Sequence, residues 1–435
     1  MAGSTDCEVL VVGAGPVGLL TTLLLAREGV DVTLIESLPD VDESPRAMTY
    51  GPAAVIELER AGVAAEARAV GMEKSDYDFR LRWITIDNRL IAEFQPEDRI
   101  PGSFDTVICG QYQLAKILKS HVEKCQGAKM LFDHKLAEIK ETSESIIATV
   151  ETPGGKKEIS AKYLAACDGG RSTVRKLLDL TYDGFTLPQW LVACNVRYPF
   201  KDHGFARSQF VVHPDHFCLI AKIDPTGLWR VSYAEKDELT REEVLANVHD
   251  KFEALFPGPK PLKKDSYQIE MVSPYRIHQR SAPSYRKGRS LLAGDAAHAC
   301  APFGGMGLTT GICDAAGLAD SLVGVLRRGC DDSLLTKYAD VRREKYHDVT
   351  HKVSYNNTCL LRDTDPEKAS EVEFFKTLNS SPEARRKMLM NAYTLGHDFK
   401  QYWSTTGQTP SKGSSKTPNV DAKPIPPVAT TTLGI

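Results

Sequence analysis

The chain has 435 residues, 42% of them hydrophobic and 26% charged, with a formal net charge of −3. That length allows two or three domains and a sizeable core, and the charge balance leaves no footprint for nucleic acid. No apolar run reaches the roughly 18 residues of a membrane span. The ten cysteines are scattered without C-x-x-C or Cys/His ligand spacing, so reduced thiols, no metal site and a cytoplasmic location are expected.

Val9 to Val12 is a β-branched apolar run that reads as a buried strand, followed by Gly13-x-Gly15-x-x-Gly18, a helix through Arg27, and a second strand, Val32 to Ile35, ending at Glu36. Each glycine has a distinct task. Gly13 permits the tight turn, Gly15 lets backbone approach a pyrophosphate, and Gly18 lets the helix pack on the strand. The helix N-terminus offers free N–H groups to an anion, and Glu36 can accept hydrogen bonds from a ribose. The pattern predicts a dinucleotide site without saying which dinucleotide.

After a proline- and acid-rich loop closing at Pro45-Arg46-Ala47, residues 52–62 read as a helix and residues 79–94 as a hairpin turning at Asp87-Asn88. Gln111 to Cys125 is an amphipathic helix. Short strands are expected at 129–132, 136–140, 146–152 and 157–159, then a buried strand at Tyr163 to Cys167 running into Asp168-Gly169. From about Thr181 the texture turns aromatic and β-branched, with strands at 190–198, 208–212, 217–223, 228–233, 266–272 and 275–280 and one helix at 240–256. A short buried strand at 289–293 then leads into Gly294-Asp295, a glycine-rich loop from Pro302, and a long helix from Leu308 to Arg327. Further helices are expected at 334–361 and 382–400, and the composition beyond Ser404 reads as disordered.

The expected fold is therefore α/β. Residues 1–180 and 286–330 would form a discontinuous Rossmann-like domain, 181–285 an inserted and mainly antiparallel substrate-binding sheet, 331–403 C-terminal helices and 404–435 a tail. Asp168-Gly169 and Gly294-Asp295 each end a short buried strand, at the sheet edge where α/β proteins bind ligands.

These three separated motifs carry a resemblance. Gly13-x-Gly15-x-x-Gly18 with Glu36, Cys167-Asp168-Gly169 with Ser172 and Arg175, and Gly294-Asp295-Ala296-Ala297-His298 with Pro302 and Gly304 to Gly307 resemble the flavin-dependent aromatic hydroxylases. These are single-component monooxygenases of the p-hydroxybenzoate hydroxylase type, with a glutathione reductase-type FAD domain. Pro45-Arg46-Ala47 and the run FGGMGLTTGICDA look like the fungal phenol hydroxylases in particular.

The resemblance implies FAD as resident cofactor and NAD(P)H as a transient co-substrate without a Rossmann domain of its own. It implies cofactor contacts from Gly13, Gly15, Pro16, Val17, Gly18, Glu36, Ser37, Arg46, Ala47, Gln111, Asp168, Gly169, Arg175, Gly294, Asp295, Ala296, Pro302, Gly305, Gly307, Leu308 and Thr309. Glu36 would hold the ADP ribose, Asp295 the ribityl chain, and the loop Gly305 to Thr309 the pyrimidine ring. The implied reaction is insertion of one atom of O2 into an electron-rich aromatic small molecule through a flavin C4a-hydroperoxide.

Arg46, Tyr233, His213 and Pro302 are the candidate catalytic residues, with Arg207 and Tyr50 further candidates for a proton relay; His298 reads as a packed histidine. Two departures stand out. Thr309 replaces the family's loop asparagine, and Met48 and Tyr50 occupy the region of its substrate-activating acid. Baeyer–Villiger oxidation, epoxidation or oxidative rearrangement on the same fold, and an idle FAD-binding protein, are the alternatives. Monomer and homodimer are both compatible with the sequence.

Overall fold

The computed structural model describes residues 5–44, 46–71, 80–99 and 106–403. Pro45, the first residue of the expected hairpin and the tail from 404 lie outside these residues.

The first sheet runs, in order, Arg286–Lys287, Ser290–Leu292, Gly155–Ala166, Cys7–Val12, Val32–Ile35 and Ala128–Leu131. Its central pairings are parallel, and Val9, Leu10 and Val11 are each 0% exposed, as a strand covered on both faces must be. Pro16–Arg27 is buried along all but its last residue. It is apolar all round because it lies between this sheet and the helix Met306–Arg327. That second helix has a mean hydropathy of 1.2 in its most apolar window, and 83% of that window is buried inside the fold. It is a core helix.

The expected strands at 157–159 and 163–167 are one strand, Gly155–Ala166. Its first half pairs antiparallel with Ile146–Thr152 and its second half parallel with Cys7–Val12. Exposure therefore changes from outward-facing to fully buried along one strand, and this mimics a break in the sequence.

The second sheet runs His298–Ala299, Gln268–Ser281, Asp183–Arg197, Leu228–Glu235, Cys218–Lys222, Ser208–Val211, Leu81–Ile84 and Leu90–Phe94. It draws on three chain segments, not on 181–285 alone. The hairpin expected to belong with residues 1–180 extends it through a parallel pairing with Ser208–Val211, and His298–Ala299 caps the other edge. The strands expected at 266–272 and 275–280 are continuous through Pro274. Only Arg280 and Ser281 pair on the outer side of that strand, so the missing N–H of Pro274 breaks no ladder there.

Period-2 alternation gives the second sheet two distinct faces. On the back, Val192, Cys194, Val231 and Tyr233 pack beneath Val244, Val248, Phe252 and Leu255. These come from Arg241–Ala246 and Val248–Leu255, two helices where one was expected. On the front, Leu191, Phe210, Phe217 and Ala234 pack against Ala301 and Phe303, and Ala221 packs against Met48 and Ile108. The front face is therefore turned toward the loop after Asp295 and toward the segment after Arg46.

The C-terminal helices Ser333–Lys345 and Lys352–Asp363 are joined by a π-helical stretch, Tyr346–His351. The helix Glu373–Ser380, buried through Phe375 and Leu378, was not expected from sequence, and Pro382–Met390 ends well before residue 400.

Candidate active site

The glycine turn shows which glycines serve the fold and which leaves room. A β-carbon on Gly18 would lie 2.0 Å from the Gly13 carbonyl oxygen, and one on Gly13 (φ +106°) 2.5 Å from the Cys167 carbonyl oxygen. A β-carbon on Gly15 would meet no atom within 4 Å among the described residues other than its own chain neighbours. The helix that follows begins at Pro16 with no side-chain cap, so its first-turn N–H groups face that open space. Glu36 and Ser37 close the second strand beside it. One Glu36 carboxylate oxygen accepts from the Ala14 N–H at 2.8 Å, and the other from the Ser37 hydroxyl and the Leu38 N–H, both at 2.9 Å. This open, uncapped turn with an acid at its rim fits the ADP half of FAD.

Asp168 and Arg175 are bonded into the chain around the Gly169 loop. The Asp168 carboxylate accepts from the Ser172 hydroxyl at 2.5 Å and from the N–H groups of Thr173 and Val174 at 2.7 and 3.0 Å, capping a short helix. Arg175 donates to the carbonyls of Ala296 and Gly170 at 2.9 and 2.8 Å and lies over the Tyr182 ring at 3.8 Å. The two side chains brace the Gly169 loop against the Gly294–Ala296 turn.

That turn is held from behind by a buried charge network. Asp314, fully buried, accepts from the Gly294 N–H at 3.0 Å, from His298 Nε2 at 2.6 Å and from Arg342 Nε at 2.6 Å. Burial alone would raise the Asp314 carboxyl; Arg342 and His298 more than offset it and hold it at about 2. His298 is 0% exposed and stacks on Tyr346, a packed residue as expected. Asp295 points away from this network. It has solvent-accessible surface, yet enclosure by the chain raises its carboxyl, with His298 and Arg46 opposing. Asp295 lies at the end of Ser290–Leu292, where the loop toward Pro302 begins.

The next turn closes through a Gly305 N–H bond to the Pro302 carbonyl at 3.1 Å. Gly305, with φ +65°, starts Met306–Arg327, again with no side-chain cap. Gly307 and Leu308 lie in that first turn, so backbone N–H groups and the helix dipole point outward from it. Thr309 is buried. Its hydroxyl donates to the Gly305 carbonyl at 2.8 Å and accepts from the Gly51 N–H at 3.1 Å. It fastens the loop to the arm that carries Arg46 and Ala47. Where the family's asparagine was expected to offer a side chain to the cofactor, Thr309 ties the loop to its own chain.

Arg46 is exposed, with Nε on the Ser44 hydroxyl at 3.1 Å and Asp42 at 3.6 Å. The Ala47 carbonyl accepts from the Gln111 N–H at 2.9 Å, so this arm crosses the head of the Gln111 helix. The Arg46 carbonyl accepts from Arg230 Nη1 at 2.7 Å, which links the arm to the front of the second sheet.

Two of the four catalytic candidates are corrected. Tyr233 is 0% exposed on the back face, packed among Val192, Cys194 and Phe252; alternation turns it away from the cleft. His213 lies in the turn after Ser208–Val211, where its Nδ1 accepts from the N–H groups of Asp215 and His216, both at 3.1 Å. It is a turn residue. Tyr50 is likewise a core residue, donating to the Cys109 carbonyl at 2.8 Å, and Arg207 directly precedes the Ser208 strand. Arg46 lies on the arm that crosses the front face, and Pro302 in the loop after Asp295.

The front face supplies residues that the sequence reading passed over: Arg230 and Asn195 on neighbouring strands, Tyr275, and Cys300 in the loop before Pro302. Tyr275 is 38% exposed, but its phenol behaves as an enclosed group. Burial raises it to about 12, with Arg230 and Arg46 pulling the other way. The signal was the alternation in LWRVSYA, which puts Arg230 and Ser232 opposite to Val231 and Tyr233.

The chain matches the family described as FAD binding domain over residues 6–353. It is 35% identical over 394 residues to para-nitrophenol 4-monooxygenase of Pseudomonas sp. (strain WBC-3), covering 89% of this chain and 95% of that one. It is 31% identical over 366 residues to 6-hydroxy-3-succinoylpyridine 3-monooxygenase of Pseudomonas putida (strain DSM 28022 / S16), covering 82% and 90%. The crystal structure of p-nitrophenol 4-monooxygenase from Pseudomonas putida DLL-E4 superposes with a TM-score of 0.85 at 34% identity, covering 90% of this chain and 99% of that one. An open glycine turn, an acid after Ser290–Leu292, an uncapped helix start and this likeness across nearly the whole length have one meaning: the chain belongs to the FAD-binding family of flavoprotein aromatic monooxygenases.

Proposed function

We propose that this protein is an NAD(P)H-consuming monooxygenase that oxygenates a hydroxylated aromatic or heteroaromatic ring at the carbon para to the hydroxyl. The two relatives named above bear names that place oxygenation at C4 of a phenol and at C3 of a 6-hydroxypyridine, and in both rings that carbon is para to the hydroxyl. The observation that carries the reading for this chain is the cleft itself. There the front face of the second sheet packs on the loop after Asp295 and on the segment after Arg46, and Arg230 bonds to that segment.

Gly13, Gly15, Gly18 and Glu36 would hold the ADP half of FAD, Asp295 the ribityl hydroxyls, and the backbone from Gly305 to Thr309 the ring system. Bound FAD, reduced by NAD(P)H, supplies the activation of O2. The chain's own contribution is placement and electrostatics. The uncapped start of Met306–Arg327 would stabilise negative charge on the bound cofactor. Asp314 keeps the Gly294 turn in register with that helix. The front face orients the ring and excludes water through Leu219, Ala221 and Met48. The overall balance is one O2 and one NAD(P)H consumed per ring oxygenated, with the second oxygen leaving as water and any substituent on the para carbon departing with its bonding pair, as nitrite from a nitro group, to leave a quinone.

The test is a screen of para-substituted phenols and hydroxypyridines for NAD(P)H consumption coupled to product. Substrate-stimulated, coupled consumption is expected. Consumption that ignores every hydroxyarene, with no product, would remove this reading and favour an idle FAD-binding protein.

A further inference from the structure

The proton-handling side chains expected from sequence lie outside the cleft, so the charge that the reaction needs must come from its walls. Arg230 is 8% exposed. Its Nε donates to the Asn195 side-chain oxygen at 2.9 Å and its Nη1 to the Arg46 carbonyl at 2.7 Å. Both partners are neutral, and Nη2 has no hydrogen bond among the described residues. No carboxylate among the described residues forms an ion pair with it. The contrast with Arg342 is direct: that guanidinium, also buried, is neutralised by Asp314 at 2.6 Å.

A guanidinium does not shed its proton on burial. An unpaired buried cation is costly, and this one lies on the front face of the second sheet beside the segment after Arg46, its remaining 8% exposure being where an anion would meet it. Register fixes its direction. Arg230 pairs across to Asn195 on one side and Ala221 on the other, and Ala221 is the residue on which Met48 and Ile108 sit. Arg230 therefore lies where the arm from Arg46 to Met48 crosses the front face.

The groups that act on it are Tyr275, Cys194 and Tyr50. Burial pushes Tyr275 and Cys194 each up to about 12 and Tyr50 upward as well, so all three are neutral at physiological pH. The other charge close by, Arg46, is a second cation. None of them compensates Arg230.

We propose that Arg230 is the anion-recognising residue of the cleft. Its guanidinium receives the deprotonated ring hydroxyl of the substrate, and so selects hydroxyarenes that bind as phenolates. This rests on the monooxygenase reading above and adds the ionisation state of the substrate to it. The hydroxyl proton is released to solvent on binding, and no bond to carbon changes at this step. A fixed cation in an enclosed cleft favours the phenolate more than water does. The charge raises electron density at the para carbon, the position the relatives' names mark.

The experiment is a pH titration of the FAD-loaded protein with 4-nitrophenol, whose anion alone is yellow, in wild type, Arg230→Met and Arg230→Lys. In the wild type the ionisation constant of bound 4-nitrophenol should rise at least about tenfold over that in solution. It should return to the solution value or below in Arg230→Met and be partly kept in Arg230→Lys. Flavin absorbance and the melting temperature report whether each variant is folded and loaded. Should the methionine variant fail that control, the lysine variant carries the test, and complete loss of the enhanced ionisation there overturns the proposal. Equal ionisation of bound 4-nitrophenol in wild type and Arg230→Met overturns it too. A wild type that neither binds 4-nitrophenol nor consumes NAD(P)H with any hydroxyarene would sink the functional reading instead.

Discussion

The two walls of the cleft are built by different means. The wall on the parallel sheet is made of backbone: glycines that a side chain would block, and two helix starts without caps. The wall on the second sheet is made of side chains, chosen by which of two faces each residue takes. Backbone sites tolerate little variation and announce themselves as glycine motifs. Side-chain walls can be rewritten residue by residue without touching the fold, which is how one scaffold serves many aromatic substrates.

Substitutions can break or sharpen this contrast. The largest effect is expected from Gly18→Val. Its β-carbon would meet the Gly13 carbonyl oxygen at 2.0 Å, and the cost should be about 4 kcal/mol or more, measured by chemical denaturation.

Next is Asp314→Asn, which strands Arg342 and His298 in the core and should cost about 3–5 kcal/mol. The same carboxyl, held at about 2 in the fold, lies below its unfolded value of about 3.9. Its stabilisation is complete above the unfolded value and is lost as pH falls through the folded one. Acid denaturation curves should therefore show a decline below about pH 4 that is flattened in the variant. Identical curves would remove Asp314 from the account of acid stability.

Gly15→Ala is the discriminating case on the same turn. Its β-carbon would meet no atom within 4 Å among the described residues other than its own chain neighbours, so the apoprotein should keep its stability within about 1 kcal/mol while FAD affinity falls about tenfold or more, read by equilibrium dialysis. Equal FAD affinity would contradict the use of this turn as the cofactor cradle.

The smallest effect is expected from Tyr233→Phe. Its buried hydroxyl has no partner among the described residues beyond the weak one of the Cys194 thiol, so removing it should leave kcat unchanged and stability within about 1 kcal/mol. A large loss of kcat would bring Tyr233 back to the chemistry.

The same contrast explains what the sequence made legible. The glycine motifs, the acid ending the second strand and the strand-to-turn passage at Asp295 were readable, because each needs particular residues at fixed offsets. The capping bonds of Asp168 were not, because an Asp-Gly pair does not announce its bonds to Ser172, Thr173 and Val174, which depend on how the chain turns after it. The membership of the Leu81–Phe94 hairpin in the second sheet depends on a long-range parallel pairing that no local pattern records. Tyr233 and Arg230 are three positions apart, and choosing between them required knowing which face the helices cover.

The central claim is tested most directly by following isotopically labelled O2 through the FAD-loaded wild type, with NAD(P)H and a para-substituted phenol. The account predicts one labelled oxygen in the ring product for each NAD(P)H consumed. Label recovered only as peroxide or water, with the ring unchanged for every hydroxyarene tried, would contradict it.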